Sequence, residues 1–249
     1  MFDNEALENE IGRLLDEFYR RRMEKINGLK LKDTLKRKNP YLYRSIGTEK
    51  ASEIIEGLLS AYMSSSDEGI FGDAFFEPLA KFASQGVVSP SEGVDVALET
   101  ETKYTAIAVK SGTNVFNAQS KKRQVAEFKS LESRLRKIQK QFDPLVGYCY
   151  GRKMRSSNTN FRELAGQAFW EEITGDEDFY LKIIRLMKEK PQEHAVEYKT
   201  SFAAAINRFT AEFIKDFCNE DGTINWEKLT EFNSGKIAPK TVKVKKEKK

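Results

Sequence analysis

The chain has 249 residues, of which 39% are hydrophobic and 32% charged, and its formal net charge is +4. This composition is typical of a globular protein, and no apolar run is long enough for a membrane span, so we expect a cytoplasmic protein. Two cysteines and one histidine offer too few ligands for a zinc site, so a metal ion would have to be bound by oxygen atoms.

The first third of the chain is predicted to be helical. Apolar periodicity and polar breaks predict four helices, over residues 3–27, 29–37, about 48–64 and 72–84. The second helix should end before Asn39-Pro40, because proline disfavours helical geometry in the residue that precedes it. The third should end near Ser64, where a polar SSSDEG cluster begins, and Gly86 is expected as the C-cap of the fourth.

The middle of the chain changes to a strand pattern. Val94–Leu98 and Tyr104–Val109 are short and rich in β-branched residues, which predicts two adjacent antiparallel strands. Ala118–Gln141 returns to helical spacing. After an interruption at Pro144, the apolar run Leu145–Tyr150 predicts a buried strand.

Helices are predicted again towards the C-terminus, over residues 161–173, 179–188 and 195–218. This order of elements describes an α/β core with helical extensions at both ends. We expect four consecutive regions: an N-terminal helical region over 1–70, a core over 71–160, a C-terminal helical region over 161–235 and a basic flexible tail over 236–249.

The stretch from Gly93 to Asn114 carries a pair of residues with potential chemistry. Asp95 lies on the first predicted strand and Lys110 at the end of the second, so a turn between the strands would bring both to one edge of the sheet. A carboxylate can hold a divalent metal against a phosphate, and an ammonium group can stabilise developing negative charge. By spacing alone, an ordinary exposed ion pair is the commoner interpretation.

Several short motifs along the chain give a second line of evidence about function. They are Gly93-Val94-Asp95, Val109-Lys110-Ser111-Gly112 with Asn114, Tyr150-Gly151-Arg152, Lys38-Asn39-Pro40-Tyr41-Leu42, Gly166-Gln167 with Phe169-Trp170, and Thr174-Gly175. Taken in their order along the chain, they resemble type II restriction endonucleases of the PD-(D/E)xK superfamily, in particular the PmeII-like and TdeIII-like families. The resemblance implies a restriction-endonuclease-like core with a central mixed sheet flanked by helices. It also implies Mg²⁺-dependent cleavage of double-stranded DNA at a specific site by a homodimer, with a cognate DNA methyltransferase in the same system.

The resemblance assigns roles to one residue of the first predicted strand and to two residues of the second. Asp95 would be the metal-binding acid, Lys110 the catalytic lysine and the Val109 carbonyl a further metal ligand. The second acid of the family pattern falls at Ala108, which has no side-chain oxygen.

Three explanations of Ala108 remain open. The residue is a substitution that inactivates the protein, the lineage is degenerate, or another element supplies the acid. Glu127 on the following helix and Glu77 on the preceding helix are the candidates for that acid. A non-catalytic DNA-binding protein that retains the fold is the main alternative function, and a helical interaction protein without affinity for DNA is a more distant one.

Polar and basic residues near the second and third strands are expected to face DNA. They are Ser111, Asn114, Asn117, Gln119, Lys121, Lys122, Arg123, Arg152 and Lys153. Asparagine and glutamine can bond base edges, whereas lysine and arginine usually bind phosphates. The alternative interpretation makes Asn114 and Asn117 turn and cap residues, and places Arg152 and Lys153 in a mobile polar loop.

Overall fold

The computed structural model describes residues 3–86, 91–135, 140–152 and 160–236. The chain forms two compact units, each built from two segments that are distant in the sequence. Within the described residues, unit 1 consists of the segment up to Ile26 and of Met63–Ser201, and unit 2 consists of Asn27–Tyr62 and the segment from Phe202 onwards. This grouping differs from the four consecutive regions expected from the sequence, which stay a prediction.

Helices make up most of the described chain. In chain order they are α1 (Asn4–Asn27), α2 (Leu31–Leu35), α3 (Pro40–Ser45), α4 (Ala51–Phe71), a π-helical turn (Gly72–Phe76), α5 (Glu77–Ser84), α6 (Ala118–Leu135), α7 (Gln167–Thr174), α8 (Phe179–Met187), α9 (Lys190–Phe217) and α10 (Trp226–Ser234). Among the helices of these described ranges, none combines the length and the apolar character that a membrane span requires.

Unit 1 contains a four-stranded sheet with the order β1-β2-β3-β4. The strands are β1 (Val96–Glu99), β2 (Lys103–Lys110), β3 (Gln141–Tyr148) and β4 (Arg162–Ala165). β1 pairs with β2 in the antiparallel sense, whereas β2 with β3 and β3 with β4 are parallel. The expectation of an α/β fold with a central mixed sheet flanked by helices is confirmed.

Alternate residues of β2 supply two separate hydrophobic cores. Ile107 and Val109 pack on one face of the sheet, in a buried cluster with residues of α1, α5 and α7. Ala106 and Ala108 pack on the other face, in a cluster that includes Phe128 of α6. The period-two alternation of a strand therefore assigns Ala108 to the face that α6 covers.

The prediction that a helix ends near Ser64 is wrong. α4 continues through the polar cluster to Phe71, and the π-helical turn and α5 follow directly. Asp67 in this cluster accepts two hydrogen bonds from Arg22 of α1, of 2.8 and 2.7 Å, so a tertiary ion pair supports helical residues of low intrinsic propensity. Gly86 is not the C-cap of α5; Gln85 takes that position, with a left-handed φ of 53°.

Two predictions in the second half of the sheet are also wrong. Pro144 does not interrupt β3 but lies within it. The part of β3 that pairs with β4 begins at Leu145, so the missing N–H of Pro144 removes no hydrogen bond between β3 and β4. Arg162–Ala165 is strand β4 and not the start of a helix. Arg162 donates two hydrogen bonds, of 2.8 and 2.7 Å, to Asp143 of β3, which holds this short segment in the sheet.

For the remaining predicted elements, most of the ends agree with the structure to within a few residues. The helix expected over 118–141 ends at Leu135 in the described residues, and Gln141 begins β3 instead. Proline at the first position of a helix is favourable, and Pro40 starts α3 there, with Asn39 as its N-cap. Beyond Lys236, the predicted tail lies outside the described residues.

Candidate active site

Asp95 and Lys110 lie together at one edge of the sheet. Asp95 immediately precedes β1, and its N–H donates a 2.9 Å hydrogen bond to the carbonyl of Ile107. Its carboxylate Oδ2 accepts a 2.7 Å hydrogen bond from the N–H of Val109 and lies 3.6 Å from Nζ of Lys110, the last residue of β2. The backbone of one strand thus orients the carboxylate beside the lysine that ends the same strand.

Glu77, the first residue of α5, belongs to the same charged cluster. Burial raises the pKa of the Glu77 carboxyl, the nearby carboxylates of Asp95 and Asp73 raise it further, and Lys110 lowers it. Three acidic groups therefore share this edge with one ammonium group. A cation bound next to this edge would relieve the repulsion between the negative charges.

A π-helical turn directly precedes Glu77. Such turns insert an extra residue into a helix and are frequent at functional sites. A Cβ atom on Gly72, at the start of the turn, would lie 2.5 Å from Oγ of Ser111, so this backbone lies directly against the residue that follows Lys110. The turn and Asp73 were not predicted from the sequence, although Asp73 and Glu77 are four residues apart, a spacing that places them on one helical face.

Ala108 contributes no functional group to the cluster. Its side chain is fully buried on the α6 side of the sheet, together with Phe128 and Tyr148. By the same alternation Lys110 shares the face of Ala108, but it ends the strand and is only partly buried. Glu77 begins helix α5, which packs on the opposite face. A carboxylate at position 108 would enter an apolar environment, where desolvation strongly disfavours the charged form.

Glu127 lies beside the loop that leads into Asp95. Its Oε1 accepts a 2.7 Å hydrogen bond from Arg123, and its carboxylate occupies the space that a side chain at Gly93 would need. Gln124, on the preceding turn of α6, donates a 2.7 Å hydrogen bond to the carbonyl of Gly93. Glu127 is thus committed to an ion pair, whereas the ionisation of Glu77 is coupled to Asp95 and Lys110.

The loops after β2 and β3 adjoin each other next to this cluster. The Tyr150 N–H donates a 3.0 Å hydrogen bond to the carbonyl of Ser111. The Tyr150 ring lies against Gly112, where a Cβ atom would approach Cζ of the ring to 2.5 Å, and its hydroxyl is 3.3 Å from the Glu68 carboxylate. Tyr150 is about half exposed, so it borders the cluster on the solvent side.

Most of the residues expected to bind DNA lie on the surface near this edge. Asn114, Asn117, Gln119, Lys122, Arg123 and Arg152 are exposed, and Ser111 and Lys121 are partly exposed. Lys153 lies outside the described residues. The DNA contacts of all these residues stay predictions.

Asn117 and Arg123 have side-chain partners within the protein. Asn117 caps α6, since its Oδ1 accepts a 2.8 Å hydrogen bond from the N–H of Ser120, as the alternative interpretation proposed. Arg123 forms ion pairs with Glu92 and Glu127. Binding of a phosphate by Arg123 would therefore compete with two carboxylates.

The charged cluster fits an open metal site and not a closed one. Among the described residues, no group of three or more histidine, cysteine or acidic side chains is arranged to hold a metal ion. Mg²⁺ usually keeps several water molecules and is bound through one or two carboxylates together with substrate phosphates. The carboxylates of Asp95 and Glu77 are oxygen donors of this type.

The comparison with protein families identifies one match. Residues 5–195, well over half of the chain, match the family described as type II restriction endonuclease EcoO109I. The matched range includes Glu77, Asp95 and Lys110. Among curated proteins, no match to this chain is found. The finer assignment to the PmeII-like or TdeIII-like families stays a prediction.

Proposed function

This chain belongs to the type II restriction endonuclease EcoO109I family, and we propose that it cleaves both strands of duplex DNA at a short specific site with Mg²⁺. The observation that carries the proposal is the pairing of Asp95 with Lys110 at the end of β2, with the Glu77 carboxyl near enough for both charges to shift its pKa. This edge offers surplus negative charge for a cation and one ammonium group for a phosphate.

In this proposal each charged group has one task. Asp95 and Glu77 would hold the metal ion together with the carbonyl oxygen of Val109, and the hydrogen bond from the Val109 N–H keeps the Asp95 carboxylate in place. When bound, Mg²⁺ would polarise the scissile phosphate and lower the pKa of a coordinated water molecule. Lys110 stabilises the negative charge that develops on the phosphate.

Glu77 takes the place of the acid that is missing at position 108. The position of Ala108 in an apolar core supports this assignment, because a carboxylate there would be costly to ionise. Glu127 is the weaker candidate, since it is paired with Arg123.

The surface around the cluster would hold the DNA. Lys121, Lys122 and Arg152 would bind phosphates, while Asn114 and Gln119 would reach base edges. We further propose a homodimer, because cleavage of two strands at a symmetric site requires two active sites. We also propose that the protein is cytoplasmic and acts alongside a cognate DNA methyltransferase, as the family resemblance implies.

Cleavage of plasmid DNA with Mg²⁺ tests the proposal. The natural chain should produce discrete fragments, and Glu77→Gln should slow their formation by about 10²-fold or more. Glu171→Gln, which changes an exposed acid on α7, is the matched control and should cleave normally. Fragments from Ala108→Glu but not from the natural chain would show that the protein is inactivated at position 108.

A non-catalytic DNA-binding protein is the second candidate function, and the lack of an acid at Ala108 favours it. Filter binding across a salt series separates the candidates. Binding that weakens with salt, without cleavage by any variant, supports the second candidate. No affinity for DNA would support the interaction protein instead.

A further inference from the structure

Helix α6 contacts the turn that leads into Asp95. In this turn the Val94 N–H donates a 3.2 Å hydrogen bond to the carbonyl of Ser91. Gly93 has a left-handed φ of 74°, so the chain bends sharply two residues before Asp95. The position of Asp95 therefore depends on how this turn is held.

A buried amide of α6 is bonded to the backbone of the turn. The side chain of Gln124 is 4% exposed, and its Nε2 donates a 2.7 Å hydrogen bond to the carbonyl of Gly93. Burial of an amide costs free energy unless the amide is hydrogen-bonded. The bond therefore favours one position of the Gly93 carbonyl relative to α6.

An ion pair of the same helix also contacts the turn. A Cβ atom on Gly93 would lie 1.8 Å from Oε2 of Glu127, so the Glu127 carboxylate lies directly against this glycine. Arg123 pairs with Glu127 and with Glu92 of the turn. The side chains of Arg123 and Glu92 are 68% and 77% exposed, so solvent and salt weaken their attraction. The buried amide of Gln124 is therefore the better-shielded contact between α6 and the turn.

On its other side, Asp95 is bonded to β2. Its N–H donates to the carbonyl of Ile107, and its carboxylate accepts a 2.7 Å hydrogen bond from the Val109 N–H. A shift of the Gly93 carbonyl away from α6 would move the backbone of Asp95 and lengthen the bond to Val109. The turn and the orientation of the carboxylate are thus coupled through two residues of backbone.

We infer that Gln124 is a positioning residue for Asp95. Through its bond to the Gly93 carbonyl, it keeps the Asp95 carboxylate beside the N–H of Val109. Residues that orient a metal ligand change metal affinity without touching the metal. The inference rests on the proposed function in one respect, namely that Asp95 binds the metal ion.

Amide hydrogen exchange of Val109, followed by NMR in the full chain without metal or DNA, tests the positioning. Gln124→Met keeps the length of the side chain and removes the donor, so the Val109 N–H should exchange at least about tenfold faster. Gln124→Asn keeps the amide but is one methylene shorter, and it should act in the same direction. Leu131→Val is the matched control, because it truncates a buried side chain two turns further along α6. It should destabilise the fold and leave the exchange of Val109 unchanged.

Cleavage of plasmid DNA provides a second measurement. Gln124→Met should require about tenfold more Mg²⁺ for its half-maximal rate, because its Asp95 carboxylate is held less firmly. Its affinity for DNA without metal should equal that of the natural chain. Leu131→Val should have the natural Mg²⁺ requirement, since a general loss of stability does not move Asp95.

Three outcomes would overturn the inference. They are exchange of Val109 unaffected by Gln124→Met, equal acceleration by Leu131→Val, or a natural Mg²⁺ requirement in Gln124→Met. Failure of the proposed function would look different. If Gln124→Met accelerates exchange while neither it nor the natural chain cleaves DNA, the positioning of Asp95 is supported and the nuclease is contradicted.

Discussion

The two ends of strand β2 carry the same residue type in opposite electrostatic settings. At its start, Lys103 lies 2.6 Å from Asp143, which is also paired with Arg162, and Arg162 in turn binds Glu172. Two cations thus balance two acids. At the other end, Lys110 faces Asp95 across 3.6 Å in a cluster that also contains two further acids.

The pKa values of the acids reflect this difference. Burial would raise the pKa of Asp143, but hydrogen bonds from Arg162 and Lys103 outweigh it and the pKa is lowered. At the other end, burial and like charges raise the pKa of Glu77. Titratable groups whose pKa is shifted by burial and like charges are enriched at functional sites, which is the reason to propose function at the Lys110 end.

The largest expected effect comes from replacing each of the two lysines by alanine, in separate variants. Lys110→Ala should slow DNA cleavage by roughly 10²- to 10³-fold, because it removes charge stabilisation at the phosphate. Lys103→Ala should leave the cleavage rate unchanged and lower the free energy of unfolding by less than about 1 kcal/mol, since its ammonium group is partly exposed. Single-turnover cleavage and urea unfolding of both variants provide the measurements. Equal effects of the two substitutions on cleavage would contradict the comparison.

Removal of the acid at the balanced end should mainly affect stability. Asp143→Asn leaves the partly exposed Lys103 and Arg162 without their shared carboxylate, and we expect a loss of roughly 1.5 to 2 kcal/mol in the free energy of unfolding. Glu99→Gln, which removes an exposed partner of Lys140, is the control and should cost less than about 1 kcal/mol. A urea midpoint for Asp143→Asn equal to that of the control would exclude a stabilising network.

The contribution of Asp143 should also depend on pH. Its folded-state pKa lies below the ordinary value of 3.8, so its stabilisation is complete above 3.8 and is lost as the pH falls through the folded-state pKa. The difference in urea midpoint between the natural chain and Asp143→Asn should therefore shrink between neutral pH and about pH 2. A difference that stayed constant over this range would show that Asp143 acts through packing and not through its charge.

The smallest expected effect is an increase in the free energy of unfolding, whereas the substitutions at the Lys103 end lower it. Glu77→Gln should raise the free energy of unfolding at neutral pH by roughly 0.5 to 1 kcal/mol, as removal of a strained functional group often does. The pKa of Glu77 is raised above 4.5, so its ionised form destabilises the folded state at higher pH and the gain should vanish below 4.5. Thermal unfolding at both pH values measures this gain. A less stable variant at neutral pH would show that Glu77 is not under electrostatic strain.

The sequence by itself determined the features that depend on neighbouring residues. A short turn between two β-branched segments predicts the β1–β2 hairpin, and the hairpin alone brings Asp95 and Lys110 to one edge. Apolar periodicity likewise predicts α1, because the pattern is complete within one element.

Only the tertiary structure decided the features that depend on distant partners. The approach of Glu77 to Asp95 depends on a π-helical turn packed against Ser111, and the short strand β4 is held by the pairing of Arg162 with Asp143. The burial of Ala108 likewise depends on the packing of α6 over the sheet. Local propensity cannot encode these contacts, because their energies arise only when segments far apart in the chain meet.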